Sequence, residues 1–254
     1  MNLKDSEHLW EEILSGRLGN MIAGPCSVES YTQLEKVSAF LSENQVKMLR
    51  AGAYKPRTSP KSFQGLGRDG VKIIHEICEK YGLISVTEIM DIRDLEYMEQ
   101  KIDVLQLGSR NMYNYSMLKE LGKTNKPILL KRGLMATVEE FVFAAEYIQN
   151  EGNARIIMCE RGIRTFEQET RNTLDLSCVA LLKQKTNYPV VADLSHSLGR
   201  KDIMVPMAKA SLAAGADMLM LEVHPEPEKA LSDAKQQLNL NEFHKILYNI
   251  GAFC

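Results

Sequence analysis

Short apolar runs alternate with longer amphipathic ones along almost the whole chain. The apolar runs are NMIAG at 20–24, VKMLRA at 46–51, LISVTE at 83–88, VLQLG at 104–108, PILLK at 127–131, ARIIMCE at 154–160, PVVAD at 189–193 and MLMLEV at 218–223. They are continuously apolar rather than alternating, which predicts strands buried on both faces. Between them, YTQLEKVSAFLSEN, DGVKIIHEICEKYG, IRDLEYMEQK, YSMLKELG, TVEEFVFAAEYIQNEG, TLDLSCVALLKQKT and VPMAKASLAAGA repeat at helical spacing, and LNEFHKILYNIG follows the last strand. Several of these end at Gly or Asn, as helix C-termini often do. Strands alternating with helices predict a parallel sheet with helical crossovers. Eight such units in about 235 residues match a single (β/α)8 TIM barrel. An open doubly wound sheet is the alternative, but no GxGxxG follows the first strand to suggest a dinucleotide site.

The predicted division is a short N-terminal extension, 1–18, and a barrel, 19–254. MNLKDSEHLWEEILSGRL reads as one helix, with Leu9, Trp10, Ile13 and Leu14 available to pack. It is expected to cap the barrel bottom or serve as an interface piece, being too short for a folded ligand-binding domain.

Composition narrows the function classes. With 254 residues, 44% hydrophobic, the chain can bury a sizeable core. A net charge of −2 gives no general pull toward nucleic acid or an acidic membrane. No apolar run reaches the roughly 20 residues of a membrane span, and the acidic start lacks a signal-peptide core, so a cytoplasmic setting is expected. The five cysteines, at 26, 78, 159, 178 and 254, form no CxxC pair and are odd in number, which argues against a disulfide framework. Cys78 and Cys178 fall on helical apolar faces. Cys26, after a strand and a Gly-Pro turn, does not.

In a barrel the chemistry sits where strands end and βα loops begin. Every predicted strand delivers a polar or charged group there: Cys26, Arg50, Glu88, the Gly108-Ser109-Arg110 turn, Lys131 with Arg132, Glu160 with Arg161 and Arg164, His196, and Glu222 with His224. Two groupings follow. Arg50, Lys55, Arg110, Lys131 and Arg161 would converge at one mouth, where like charges repel by roughly 1 kcal/mol at 4 Å in water. Such a cluster is tolerable when anions occupy it, and arginine forks suit phosphate or carboxylate oxygens. Cys26, His196 and Glu222 come from strands that adjoin once the barrel closes. Thiol, imidazole and carboxylate together make a divalent metal site of zinc, iron, manganese or cobalt type, with Asp233 available as a fourth ligand.

The motifs GPCSVES, KPRTSPKSFQGLG, QLGSRNM, LLKRG, CERGIRTFE, DLSHSLGR and EVHPEP occur in this order. From about residue 19 to 250, the chain resembles the 3-deoxy-D-arabino-heptulosonate 7-phosphate (DAHP) synthases of the type Iβ branch. KPRTSP is the most specific piece. The sister family, the 3-deoxy-D-manno-octulosonate 8-phosphate synthases, shares several elements and is the alternative. The resemblance implies condensation of phosphoenolpyruvate with erythrose 4-phosphate, the first step of the shikimate pathway. It implies that Arg50, Lys55, Ser109, Arg110, Lys131 and Arg161 hold phosphoenolpyruvate. Arg57 and Thr58 would take the aldose phosphate, and Cys26, His196, Glu222 and Asp233 a divalent metal. Lys55, Lys131, Glu88 and His196 are the expected catalytic residues, with Glu88 and Lys131 both placed to manage water and protons. A homodimer or homotetramer is expected, with regulation in trans by another protein as an option. A non-catalytic phosphate-ligand sensor would need the anion pocket but not the metal cluster.

Overall fold

The computed structural model describes residues 5–57 and 59–251. Eight parallel strands close on themselves in chain order, β8 pairing β1. They are β1 Met21–Gly24, β2 Met48–Arg50, β3 Ile84–Glu88, β4 Val104–Leu107, β5 Ile128–Lys131, β6 Ile156–Glu160, β7 Val190–Asp193 and β8 Met218–Glu222. All eight fall where the apolar runs predict, within about two residues. The helices are α1 Ser6–Leu14, α2 Tyr31–Glu43, α3 Arg68–Tyr81, α4 Leu95–Glu99, α5 Tyr115–Gly122, α6 Val138–Gln149, α7 Leu176–Lys185, α8 Leu194–Leu198, α9 Met204–Ala213 and α10 Leu240–Ile250.

Strand alternation sorts the apolar side chains into two cores. Ile22, Met48, Ile84, Val86, Val104, Leu129, Ile157, Val191, Met218 and Met220 fill the barrel interior. Their strand neighbours Ala23, Leu49, Leu105, Ile128, Leu130, Met158, Ala192 and Leu219 face the helices. Successive side chains on a strand point to opposite faces. Two residues beyond the last inward apolar position, the interior therefore turns polar: Arg50, Glu88, Gln106, Lys131, Asp193 and Glu222.

Asp5 caps α1, its side chain accepting from the Glu7 N–H. Leu9, Ile13 and Leu18 join the interior core at the end of the barrel away from the site, and Trp10 packs against it. Leu14 does not share in this packing, being 55% exposed. Two local differences from the sequence reading have physical causes. IRDLEYMEQK forms a 3-10 turn, Ile92–Asp94, and then the short α4, because the Asp91 side chain caps the turn. DLSHSLGR is not a plain loop. Asp193 accepts the His196 N–H and starts α8 directly off β7, and Gly199 ends it in the left-handed conformation. Cys26, Cys78, Cys159 and Cys178 are all buried, and none of them is in a disulfide.

Candidate active site

A cavity of about 310 Å³ opens at the C-terminal mouth of the barrel. Its lining brings together Arg50, Lys55, Arg57, Arg110, Lys131 and Arg161, the six cations the sequence assigns to substrate anions, with Arg164, expected at the end of β6, and Arg171 besides. Glu88 and Asp233 are the two carboxylates in that lining. Eight cations against two carboxylates leave a strongly positive hollow. Arg161 shows why this calls for an anion. It is 7% exposed, yet among the described residues it makes no ion pair and donates only to the Gly162 carbonyl at 3.3 Å. Burial pushes its pKa below the usual arginine value, with Asp193 acting the other way.

Arg50, equally buried, donates to Glu222 Oε1 at 3.1 Å and to Gln106 Oε1 at 3.3 Å. Glu88 turns toward its neighbour on β4 and accepts from Gln106 Nε2 at 3.2 Å. A Cβ at Gly108 would stand 2.0 Å from Glu88 Oε1, so only glycine lets the β4 loop pass this carboxylate. Ser109 follows in a 3-10 turn and lines the cavity, and Arg110 donates to the Pro56 carbonyl at 3.2 Å. Arg57 donates to the Phe63 carbonyl at 3.2 Å and lies 4.0 Å from Asp233. Thr58 lies outside the described residues.

The second grouping stands beside this pocket. Ligand atoms of Cys26, Glu222 and Asp233 all lie within 4.8 Å of one another. His196 reaches this trio through Glu222, its Nε2 3.2 Å from Oε1, but is not within that distance of all three. Burial pushes the Cys26 thiol up to about 11, and Glu222 adds to the rise while Lys55 opposes it. Burial also pushes the His196 imidazole down to about 4, against the pull of Asp193 and Glu222. Asp233 sits at φ 48, a left-handed conformation that aspartate tolerates better than most residues. Arg171 holds its Oδ2 at 3.1 Å and also donates to Gln236 Oε1 at 2.6 Å. Gln236 in turn donates to Glu222 Oε2 at 2.6 Å. One thiol and two carboxylates, with an imidazole adjoining, form a donor set that fits a divalent ion.

Lys55 departs from a purely anion-binding placement. Its Nζ is 2.9 Å from Cys26 Sγ and 3.1 Å from the Cys26 carbonyl, so it joins the two groupings. Glu160 and Arg132 also differ from the simple strand-end reading. Arg132 donates to Glu160 at 2.9 Å and to Asp175 at 2.8 Å, and Glu160 accepts the Gly162 N–H at 2.7 Å. This pair sits behind the mouth and braces the turn that carries Arg161. Gln106, Asp193, Arg171, Asn172 and Gln236 are among the polar residues of the site that the sequence reading passes over. The first two were detectable from strand parity.

The model of the DAHP synthetase I family matches residues 5–251. The chain belongs to that family. A phospho-2-dehydro-3-deoxyheptonate aldolase from Thermotoga maritima is 51% identical over 235 residues, covering 91% of this chain and 70% of that protein. The crystal structure of the DAHP synthase from that organism superposes with a TM-score of 0.89 at 50% identity, covering 92% of this chain and 68% of that one. A truncated form of a Thermotoga maritima 3-deoxy-D-arabino-heptulosonate 7-phosphate synthase gives 0.85 at 46% identity, over 92% and 86% of the two chains. A 2-dehydro-3-deoxyphosphooctonate aldolase from Geobacter sulfurreducens is more distant, 26% identical over 250 residues.

Proposed function

We propose that this chain joins phosphoenolpyruvate to erythrose 4-phosphate, giving DAHP and inorganic phosphate. The observation that carries the reading is the adjacency of an eight-cation pocket and a Cys26–Glu222–Asp233 cluster at one mouth, bridged by Lys55. A sensor for phosphate ligands would need only the first.

The inner cations Arg50, Lys131 and Arg161 hold phosphoenolpyruvate, together with Lys55, Arg110 and the Ser109 backbone. Arg57 and Thr58 take the aldose phosphate nearer solvent. Fixing both anions brings the enol C3 against the aldehyde carbon, the proximity contribution to catalysis. Cys26, Glu222, Asp233 and His196 would hold a divalent ion of manganese, iron, cobalt or zinc type. Such an ion supplies Lewis-acid polarisation of an oxygen when bound.

C3 bonds to the aldehyde carbon and the aldehyde oxygen takes up a proton. Water adds at C2 and loses a proton, and the C2–O bond to phosphate then breaks. Glu88, in the cavity lining and hydrogen-bonded to Gln106, and Lys131 at the end of β5 are the groups that handle this water and these protons.

Among the described residues no helix is long and apolar enough to cross a membrane. A cytoplasmic setting belongs to this reading. So does a homodimer or homotetramer, which the exposed aromatic side chains Tyr113, Tyr115, Phe143 and Tyr147 support. Phosphate release from phosphoenolpyruvate tests the proposal, with erythrose 4-phosphate compared against arabinose 5-phosphate. Release with the four-carbon sugar is expected. Preference for the five-carbon sugar, or no release with either, would overturn it.

A further inference from the structure

Asp193 is a buried carboxylate to which the chemistry above gives no task. It ends β7 at an inward position and has no exposed surface. Two basic side chains from the two halves of the site meet on it. Its Oδ2 lies 2.5 Å from Lys131 Nζ and 2.8 Å from His196 Nδ1. Its Oδ1 accepts the His196 backbone N–H at 3.0 Å and lies 3.1 Å from the same Nδ1. Lys131 belongs to the anion pocket and also reaches the Met220 sulfur, at 3.8 Å. His196 leads the other way, through Nε2 to Glu222 and the Cys26–Asp233 cluster.

A buried ammonium needs a paired charge to stay in place. Both ring nitrogens of His196 face a carboxylate, Nδ1 at 2.8 Å from Asp193 and Nε2 at 3.2 Å from Glu222. A neutral ring carries its one proton on the nitrogen with the closer acceptor, here Nδ1, and the lone pair then sits on Nε2. We propose that Asp193 is a positioning residue that locks the anion pocket to the metal cluster. It holds Lys131 over the pocket and fixes His196 as the Nδ1–H tautomer, with Nε2 turned toward Glu222. This deepens the proposed function and rests on its assignment of the two groupings. A salt bridge serving only to steady the barrel would move neither the tautomer nor the affinity for metal.

The test uses Asp193→Asn, which keeps the shape and removes the charge. Titrating manganese into the metal-free protein should show binding weakened by about 10- to 100-fold, the usual loss when the partner of a ligating histidine is removed. Phosphoenolpyruvate binding to the metal-free variant should fall by about tenfold or more, as for a lost charge-assisted contact. Lys131→Met should reproduce the second loss while changing manganese affinity by less than about threefold, there being no change at the imidazole. Wild-type affinity for both ligands in folded Asp193→Asn would overturn the proposal.

Should that variant fail to fold, the wild-type chain decides through nitrogen NMR of its histidines, with His196 assigned by His196→Gln. A proton on Nδ1 supports the proposal, and a bare Nδ1 with the proton on Nε2 refutes it. Wild-type protein that binds manganese and phosphoenolpyruvate but releases no phosphate would sink the proposed function and leave this inference intact.

Discussion

Arg57→Ala should separate the two substrates. In the free protein the Arg57 side chain is 21% exposed and makes one backbone hydrogen bond, to Phe63. Its ion pair with Asp233 is long, at 4.0 Å. A partly exposed pair of that length contributes at most about 1 kcal/mol, or roughly a fivefold change in metal affinity. A charge-assisted contact to a substrate phosphate is worth about 1.5–3 kcal/mol. On the scale of tenfold per 1.36 kcal/mol, the KM for erythrose 4-phosphate should rise roughly ten- to a hundredfold. Phosphoenolpyruvate affinity should stay nearly constant, because Arg50, Lys131 and Arg161 are untouched.

Lys55→Met should behave differently. Its ammonium is 2.9 Å from Cys26 Sγ, so its loss should weaken metal binding as well as phosphoenolpyruvate binding. The assay is steady-state phosphate release with each substrate varied in turn, together with calorimetry of manganese and phosphoenolpyruvate. Equal damage to both substrates by Arg57→Ala, or to neither, would refute the division of labour along this loop.

Cys26→Ser should cost most of the affinity for manganese without lowering the melting temperature by more than a few degrees, since the removed atom is a ligand and the barrel core is elsewhere; calorimetry and a thermal scan check this. Gly108→Ala should push Glu88 aside, because the new methyl would stand 2.0 Å from its oxygen, and should lower kcat more than it raises either KM. Asp175 offers a pH signature. Burial raises its pKa, but Arg132 and the Cys178 N–H more than offset this, and the carboxyl is held below its usual value. A depressed carboxylate contributes stability above its unfolded pKa of about 4 and loses it as pH falls through the folded value. The stability gap between wild type and Asp175→Asn should therefore be full at neutral pH and close below about pH 4. A gap independent of pH would contradict this.

The barrel was legible because strands buried on both faces must be apolar throughout, and eight such runs stand out against amphipathic helices. The cations were legible because charge at a strand end is conspicuous. Parity was the finer signal. Glu160 and Arg161 adjoin in sequence, yet Glu160 braces Arg132 while Arg161 lines the cavity. Asp193, two residues past the inward Val191, follows the same alternation and was hidden inside an apolar-looking PVVAD run. Its second task, capping α8, turns a segment that reads as loop into a helical turn. Arg171 could not be read this way. Its partner Asp233 lies 62 residues further on, and only closure of the β6 and β8 loops brings the two together.

The central claim is that the cation pocket and the Cys26 cluster act as one site. It is tested most directly by stripping the protein with a chelator, adding phosphoenolpyruvate and erythrose 4-phosphate, and following products by phosphorus NMR and mass spectrometry before and after manganese is restored. One DAHP and one inorganic phosphate should form per phosphoenolpyruvate consumed, only with metal and both substrates present. Full turnover of the stripped protein, or no product from the restored one, would contradict the account.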